Sequence, residues 1–277
     1  MAQHVGLLER GKSRGLQFFS LVEETNDGDG VFSQRVLSER DSISNLTGDH
    51  RLLFKKVVYV GTKERDSDDP LLLNFLFVQA VKDHLSYGHP SQEEAFELGA
   101  LQLLNRRGGI DLNNPPDLKA EGLHEYLPYH MFVRDDAASH YDEWEQQLLA
   151  TARTIAEEGL SLYQLQRRYV DLCQHSPIYG SAYYAVTMSK DDGGLQDFVL
   201  AVNRIGLHLV DRDEREIIAT FPYEHIVKWG RSAHSFNFIT QGDNQWTFET
   251  YQGDEINKFM GIYVRLLLES RDKEATS

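Results

Sequence analysis

At Ser176-Pro177-Ile-Tyr-Gly180 the hydrophobic period of this chain changes from helical to two, which requires a helical unit followed by a β unit. Upstream, Asp69 suits an N-cap and Pro70 the first helical position. Leu72, Phe75, Leu76 and Gln79-Ala80 are predicted to share one face of a helix that stops near Gly88. Ser91-Gln-Glu-Glu94 has capping-box spacing and opens a second helix through Leu104, closed by Arg106-Arg-Gly-Gly109. Two more helical stretches are predicted around 118–130 and 139–174, the latter interrupted at Gly159. Short loops make residues 66–178 an all-helical bundle.

Downstream, the predicted strands are Ala182–Met188, Phe198–Asn203, Leu207–Val210, Glu216–Thr220, Ile226–Gly230, Ser235–Thr240 and Gln245–Thr250. Alternation is sharpest where Phe236/Phe238 and Trp246/Phe248 share one face and Asn237, Thr247 and Glu249 the other, with Gly242-Asp-Asn244 as a hairpin turn. Seven short antiparallel strands imply a sandwich or partly open barrel. A final helix, Asp254–Ser270, has an apolar face of Ile256, Phe259, Met260, Tyr263, Leu266 and Leu267. Ile262, Val264 and Leu268 widen that face past a minimal stripe, so its flank is predicted to touch something besides the sandwich.

Residues 1–62 read as strands and turns: Gly15–Val22, the turn Asn26-Asp-Gly-Asp-Gly30, then Arg51–Val60. So few residues make a small core, and the segment is expected to lean on a neighbour. At 277 residues, 41% hydrophobic and 26% charged, the chain has room for two or three folded domains. A net charge of −15 argues against nucleic acid as a partner, since phosphate backbones are held by an excess of Lys and Arg. The single cysteine, Cys173, excludes an internal disulfide and fits a reducing, cytoplasmic setting, with burial as its expected role. No apolar run approaches a bilayer span, and the first residues lack a signal-peptide core.

Strand module, helical bundle, then a seven-stranded sandwich closed by one helix resembles a FERM domain. The wording agrees: Leu52-Leu-Phe-Lys-Lys56 is similar to the last strand of the ubiquitin-like first lobe, and His89–Leu101 to the second helix of the central lobe, where small residues let helices approach. Tyr179–Val186, Val199–Asp211 and Trp246–Thr250 look most like the FERM lobes of unconventional myosin tails, whereas Lys228–Phe236 and Asp69–Ala80 also look like talin. The resemblance implies a multi-domain α+β fold: a partial ubiquitin-like lobe (1–62), a helical, acyl-CoA-binding-protein-like lobe (66–178) and a PH/PTB-like sandwich with its C-terminal helix (180–272). The first lobe lacks the opening hairpin and helix of a complete one. This points to a fragment of a longer protein or to a reading frame that begins inside the domain.

Catalytic and metal-binding signals are weak. In His124-Glu-Tyr-Leu-Pro-Tyr-His130 the histidines lie six apart with Pro128 between them, so they would not share a helical face. Asn26–Gly30 lacks the later ligands of a calcium loop. Phosphate-loop and nucleophile-elbow motifs are absent, so no cofactor and no enzymatic activity are expected.

The stronger candidate is a sheet edge. If Ile226–Arg231 lies beside the last helix, its outer backbone groups form a template for an added strand. The FERM resemblance places there a groove for Asn-Pro-x-Tyr-like tails or a cargo helix. Its matching positions are Ile226, Val227, Lys228, Trp229, Gly230, Arg231 and Ser232 on the strand, with Met260, Val264 and Leu267 on the helix. Trp229 reads equally as a groove contact and as a cap on the core. FERM lobes also meet anionic lipid, for which Lys55-Lys56, Arg106-Arg107 and Arg167-Arg168 are the available pairs. A solvated role is favoured for them, because residues 180–277 hold 10 Lys/Arg against 15 Asp/Glu and the turn at Lys190–Gly194 is acidic.

The expected function is that of a non-enzymatic adaptor that binds cytoplasmic tails of membrane proteins or cargo adaptors and couples them to actin, as in myosin tails. A talin-like receptor-to-actin linker, or the targeting module of a larger enzyme, are the alternatives.

Overall fold

A computed structural model describes residues 19–26, 32–38, 41, 50–59, 69–108, 116–189 and 193–275. The described residues fall into two compact units: one holds those of 69–179 with 213–215, the other those of 19–59, 180–212 and 216–275. The turn expected at Asn26–Gly30 lies largely outside the described residues.

The first unit is helical. Helix α1 (Pro70–Tyr87) starts where expected, with the Asp69 carboxylate accepting from the Leu71 N–H at 2.9 Å, and ends at Gly88. Its inward face is Leu73, Leu76, Phe77, Gln79, Ala80, His84 and Tyr87: Leu76, Gln79 and Ala80 face inward as predicted, whereas Leu72 and Phe75 are only half-buried and Leu73 and Phe77 take their place. The sequence is apolar almost all round here, so spacing leaves the face open and packing chooses it: Phe77 meets Tyr169 edge-on at 5.0 Å.

Helix α2 (Gln92–Arg107) carries both halves of the Ser91/Glu94 capping box and ends on Gly108 in the left-handed region, φ 68°. At Gly99 the chain packs close against α2, since a Cβ there would lie 2.8 Å from the Tyr126 carbonyl oxygen and 3.0 Å from Leu148 Cδ1.

The helix expected over 118–130 is replaced by a single turn, α3 (Leu118–Glu121), and short 3-10 turns at Leu123–Glu125 and Tyr129–Met131. Gly122 at φ 98° and Pro128 interrupt it. Helices α4 (Tyr141–Glu157) and α5 (Leu162–Cys173) are split at Gly159, φ 68°, and Ser161 with Gln164 forms a second capping box. Cys173 is buried and its thiol pKa is pushed up by burial, so it packs as an apolar residue.

The second unit contains two sheets. Strands β1 (Phe19–Asn26), β2 (Phe32–Val36) and β3 (His50–Lys56) form an antiparallel sheet in the order β2-β1-β3. The strand expected to run to Val60 stops at Lys56. This small sheet does lean on its neighbour: Gln252 Nε2 donates to the Gln34 carbonyl at 3.1 Å, and the Tyr59 N–H donates to the Tyr263 hydroxyl at 3.3 Å.

The larger sheet comprises β4 (Ala182–Ser189), β5 (Leu195–Val202), β6 (Gly206–Asp211), β7 (Ile217–Pro222), β8 (Ile226–Arg231), β9 (Ser235–Thr240) and β10 (Gln245–Glu249). Its order is β7-β6-β5-β4-β10-β9-β8, every neighbouring pair antiparallel. Trp246 stands opposite Phe238 and Phe248 opposite Phe236, so the aromatics face inward together. Helix α6 (Gly253–Ala275) closes the core with Ile256, Phe259, Met260 and Tyr263, all buried.

Candidate peptide-docking edge

Strand β8 is an outermost strand of the larger sheet and, among the described residues, pairs only with β9. Ile226 stands opposite Thr240, but Lys228 stands opposite Ile239, so Val227 is an extra residue without a partner. Ile226 and Trp229 are three apart, and a regular strand would point them to opposite faces. The bulge at Val227 restores the phase and turns both inward. Ile226 is buried, while Trp229, opposite the fully buried Phe238, is partly buried against the margin of the core.

Helix α6 runs alongside this edge in the opposite direction, held at three points. Arg231 pairs with Asp254, Trp229 Nε1–H donates to Asn257 Oδ1 at 3.0 Å, and Arg271 reaches Glu224 at 3.6 Å. Between these ties the strand presents Val227, 67% exposed, and Lys228. The helix presents Val264, half-buried, Leu267 at 39% and Leu268 at 56% exposed. Lys228 has no ion-pair partner among the described residues, so its charge is available. Arg231 is engaged with Asp254, in a pair exposed enough to add little stability.

The expected site residues thus divide. Val227, Lys228, Val264 and Leu267 lie on the accessible strip, and Ser232 is exposed at the strand's end, its hydroxyl 2.8 Å from that of Ser235. Gly230 sits half-buried within the strand. Met260 is corrected: at 0% exposure it belongs to the core beneath the strip and offers no surface to a ligand. Asn257, Asp254 and Leu268 were missed as members of this edge. Leu268 was visible as excess apolar width on the helix, but nothing in the sequence pairs Asn257 with Trp229.

The basic pairs proposed for lipid are largely engaged within their own units. Lys55 and Lys56 are buried, with Lys55 Nζ donating to Gln34 Oε1 at 3.1 Å and Lys56 over the Tyr59 ring. Arg107 pairs with Glu121, Arg106 lies 3.5 Å from Glu125, and Arg168 bridges Glu97 at 2.6 Å and Glu158 at 3.0 Å. Arg167 donates to the Tyr163 hydroxyl at 3.1 Å. No described helix is long and apolar enough to cross a membrane, and no cluster of metal-ligating side chains occurs among the described residues.

Comparison with known proteins agrees with this architecture. Residues 62–184 match the FERM central domain family, and residues 186–268 match the PTB domain (IRS-1 type) family. Talin-B of Dictyostelium discoideum is 27% identical over 233 residues, covering 81% of this chain and 8% of that protein. FERM domain-containing protein B of the same organism is 23% identical over 270 residues, covering 91% of this chain and 55% of its own length. Among solved structures, the human myosin 7b C-terminal MyTH4-FERM domain, in complex with the harmonin-a PDZ3 domain, superposes at TM-score 0.68 and 16% identity over 96% of this chain and 54% of that one. The Dictyostelium discoideum myosin VII MyTH4-FERM MF2 domain, mutant 1, gives TM-score 0.71 at 14% identity over 95% and 54%. The chain therefore spans a small part of the talins and about half of the others. A FERM central lobe followed directly by a PTB-type lobe with its closing helix gives this chain the FERM fold, similar to those of talins and myosin tails.

Proposed function

We propose that this chain is a non-enzymatic interaction module that takes an extended tail segment of a membrane protein or cargo adaptor as an added strand on β8. The observation that carries the reading is the open β8 edge with Val227 and Lys228 exposed, beside Leu267 and Leu268 on α6. Backbone hydrogen bonds along the edge supply affinity, the apolar strip accepts side chains, and Lys228 favours an acidic residue in the ligand. An attached motor or linker connects the bound tail to actin, in a cytoplasmic, cortical setting. The fold shared with myosin tails supports the motor reading. Sequence similarity to talins over 81% of the chain supports a second, a receptor-to-actin linker.

Trp229 and Met260 are poor places to test the groove. Met260→Ala would open a core cavity costing about 2–5 kcal/mol, and lost binding would then report unfolding. Val227→Asp and Leu267→Asp change only exposed positions. With labelled Asn-Pro-x-Tyr tail peptides, fluorescence anisotropy should show each variant binding at least about tenfold more weakly, a difference of about 1.4 kcal/mol, at unchanged thermal stability. Equal affinity in both variants would sink the proposal.

A further inference from the structure

Thirteen tyrosines occur in the chain, and exposure separates one from the rest. Tyr251 is 85% exposed, whereas the next most open, Tyr141, is 36% exposed and packs against Phe132 and Trp144. Tyr251 lies in the link from β10 to α6. Its hydroxyl has no hydrogen-bond partner among the described residues, and its ring meets only His234, edge-on at 5.1 Å.

The backbone around this ring is anchored. The Thr250 N–H donates to the His234 carbonyl at 3.0 Å, the Thr250 hydroxyl to the Ala185 carbonyl at 3.1 Å, and the Gln252 N–H to the Thr250 hydroxyl at 3.2 Å. An exposed side chain on a fixed backbone has no role in packing and no partner to release before it reacts. Glu249-Thr-Tyr-Gln-Gly-Asp-Glu255 places carboxylates two residues before the ring and three and four after it, and Glu249 and Asp254 are exposed. An enzyme with a basic substrate cleft would be steered to such a segment.

We propose that Tyr251 is a phosphorylation site for a tyrosine kinase that prefers acidic surroundings. The phenol oxygen forms a bond to the terminal phosphorus of a nucleoside triphosphate as the bond from that phosphorus to the bridging oxygen breaks. The phenolic proton passes to a base of the kinase, and nucleoside diphosphate leaves with the electron pair. The product carries about two added negative charges beside His234. The first residue of α6, just past this link, touches the end of β8, since a Cβ on Gly253 would lie 3.3 Å from Arg231 Cβ. In the Arg231–Asp254 pair that ties β8 to α6, Asp254 lies three residues further along the chain than Tyr251. The site does not depend on the docking role proposed for β8.

The test uses the full 277-residue chain with magnesium, ATP and a purified tyrosine-kinase domain that accepts random Glu–Tyr copolymer. Intact mass and peptide mapping should show one phosphate, on Tyr251, and Tyr251→Phe should lower incorporation at least about tenfold. A peptide of residues 245–257 is the control for local sequence, and the His234 ring resonances should shift only in the phosphorylated chain. Phosphate distributed over other tyrosines, undiminished incorporation in Tyr251→Phe, or no incorporation in the chain, whether or not the peptide reacts, would overturn the proposal.

Discussion

Trp229 makes two separable contributions at the margin of its lobe: ring packing against the core and one hydrogen bond from its indole N–H to Asn257. A partly buried hydrogen bond of this kind contributes about 0.5–1.5 kcal/mol. Trp229→Phe should therefore lower stability by about 1 kcal/mol, and Trp229→Ala, which also loses ring contact, by about 2–3 kcal/mol. Urea denaturation of both variants checks this, and equal losses would place the whole effect in the hydrogen bond.

Buried histidines make the fold sensitive to acid. His208 is held by two neighbours: Asn203 Oδ1 also accepts the Ile205 N–H, so His208 Nε2–H donates to it at 3.2 Å while Nδ1 accepts from the Thr220 hydroxyl at 3.0 Å. This arrangement needs a neutral ring, and burial holds the His208 pKa down to about 4. In the helical unit, burial and then the nearby His130 hold His84 down to about 3, and burial and then His89 hold His130 down to about 4. These folded-state values lie below the unfolded value of about 6.5. The unfolded chain therefore takes up protons first, and stability present above pH 6.5 is lost as pH falls towards about 4 for His208 and His130 and about 3 for His84. Denaturation midpoints measured across that range should decline, and His84→Leu should flatten the decline for the helical unit.

At the scale of elements, Gly99 shows what a small residue does in α2. Gly to Ala in a helix interior gains about 1 kcal/mol of propensity, but here the added methyl meets a backbone carbonyl at 2.8 Å that has no rotamer with which to move away. Overpacking costs about 1–3 kcal/mol, so Gly99→Ala should lower the melting temperature, and an unchanged or raised value would show that α2 shifts freely.

Elements with caps at their ends were legible in the sequence. Asp69-Pro70, Ser91/Glu94 and Gly159 fixed helix ends, and alternation through β9 and β10 fixed their inward faces. The stretch 118–130 was not legible because its apolar residues kept a helical rhythm across Gly122 and Pro128, which the backbone cannot follow. The bulge at Val227 was not legible either, since one unpaired residue leaves no trace beyond the odd spacing of Ile226 and Trp229, and so the direction of Trp229 had to come from the register. Deleting Val227 should regularise β8 and keep Trp229 inward, now two positions from Ile226 and still opposite Phe238. Its indole N–H resonance, assigned with Trp229→Phe, should then stay close to its original position, and a move to a solvent-exposed position would mean the register had slipped instead.

For the whole molecule, the question left between a motor-tail and a talin-like reading is its attraction to membranes. A net charge of −15 repels an anionic surface on average, so binding would need a local basic face. The pairs that could supply one are compromised. Lys55 and Lys56 are buried, Arg107 and Arg168 are bridged to carboxylates, and Arg106 lies beside Glu125. Releasing them would forfeit those contacts for screened attraction to a surface, each lysine or arginine gaining about 1 kcal/mol. Cosedimentation with phosphatidylserine vesicles should therefore be negligible at an ionic strength of about 0.01 M, where the screening length is about 30 Å and attraction is strongest. It should stay negligible at about 0.15 M. Strong binding at low salt that disappears at high salt would favour the talin-like linker, and would mean that a basic face forms from residues other than these three pairs.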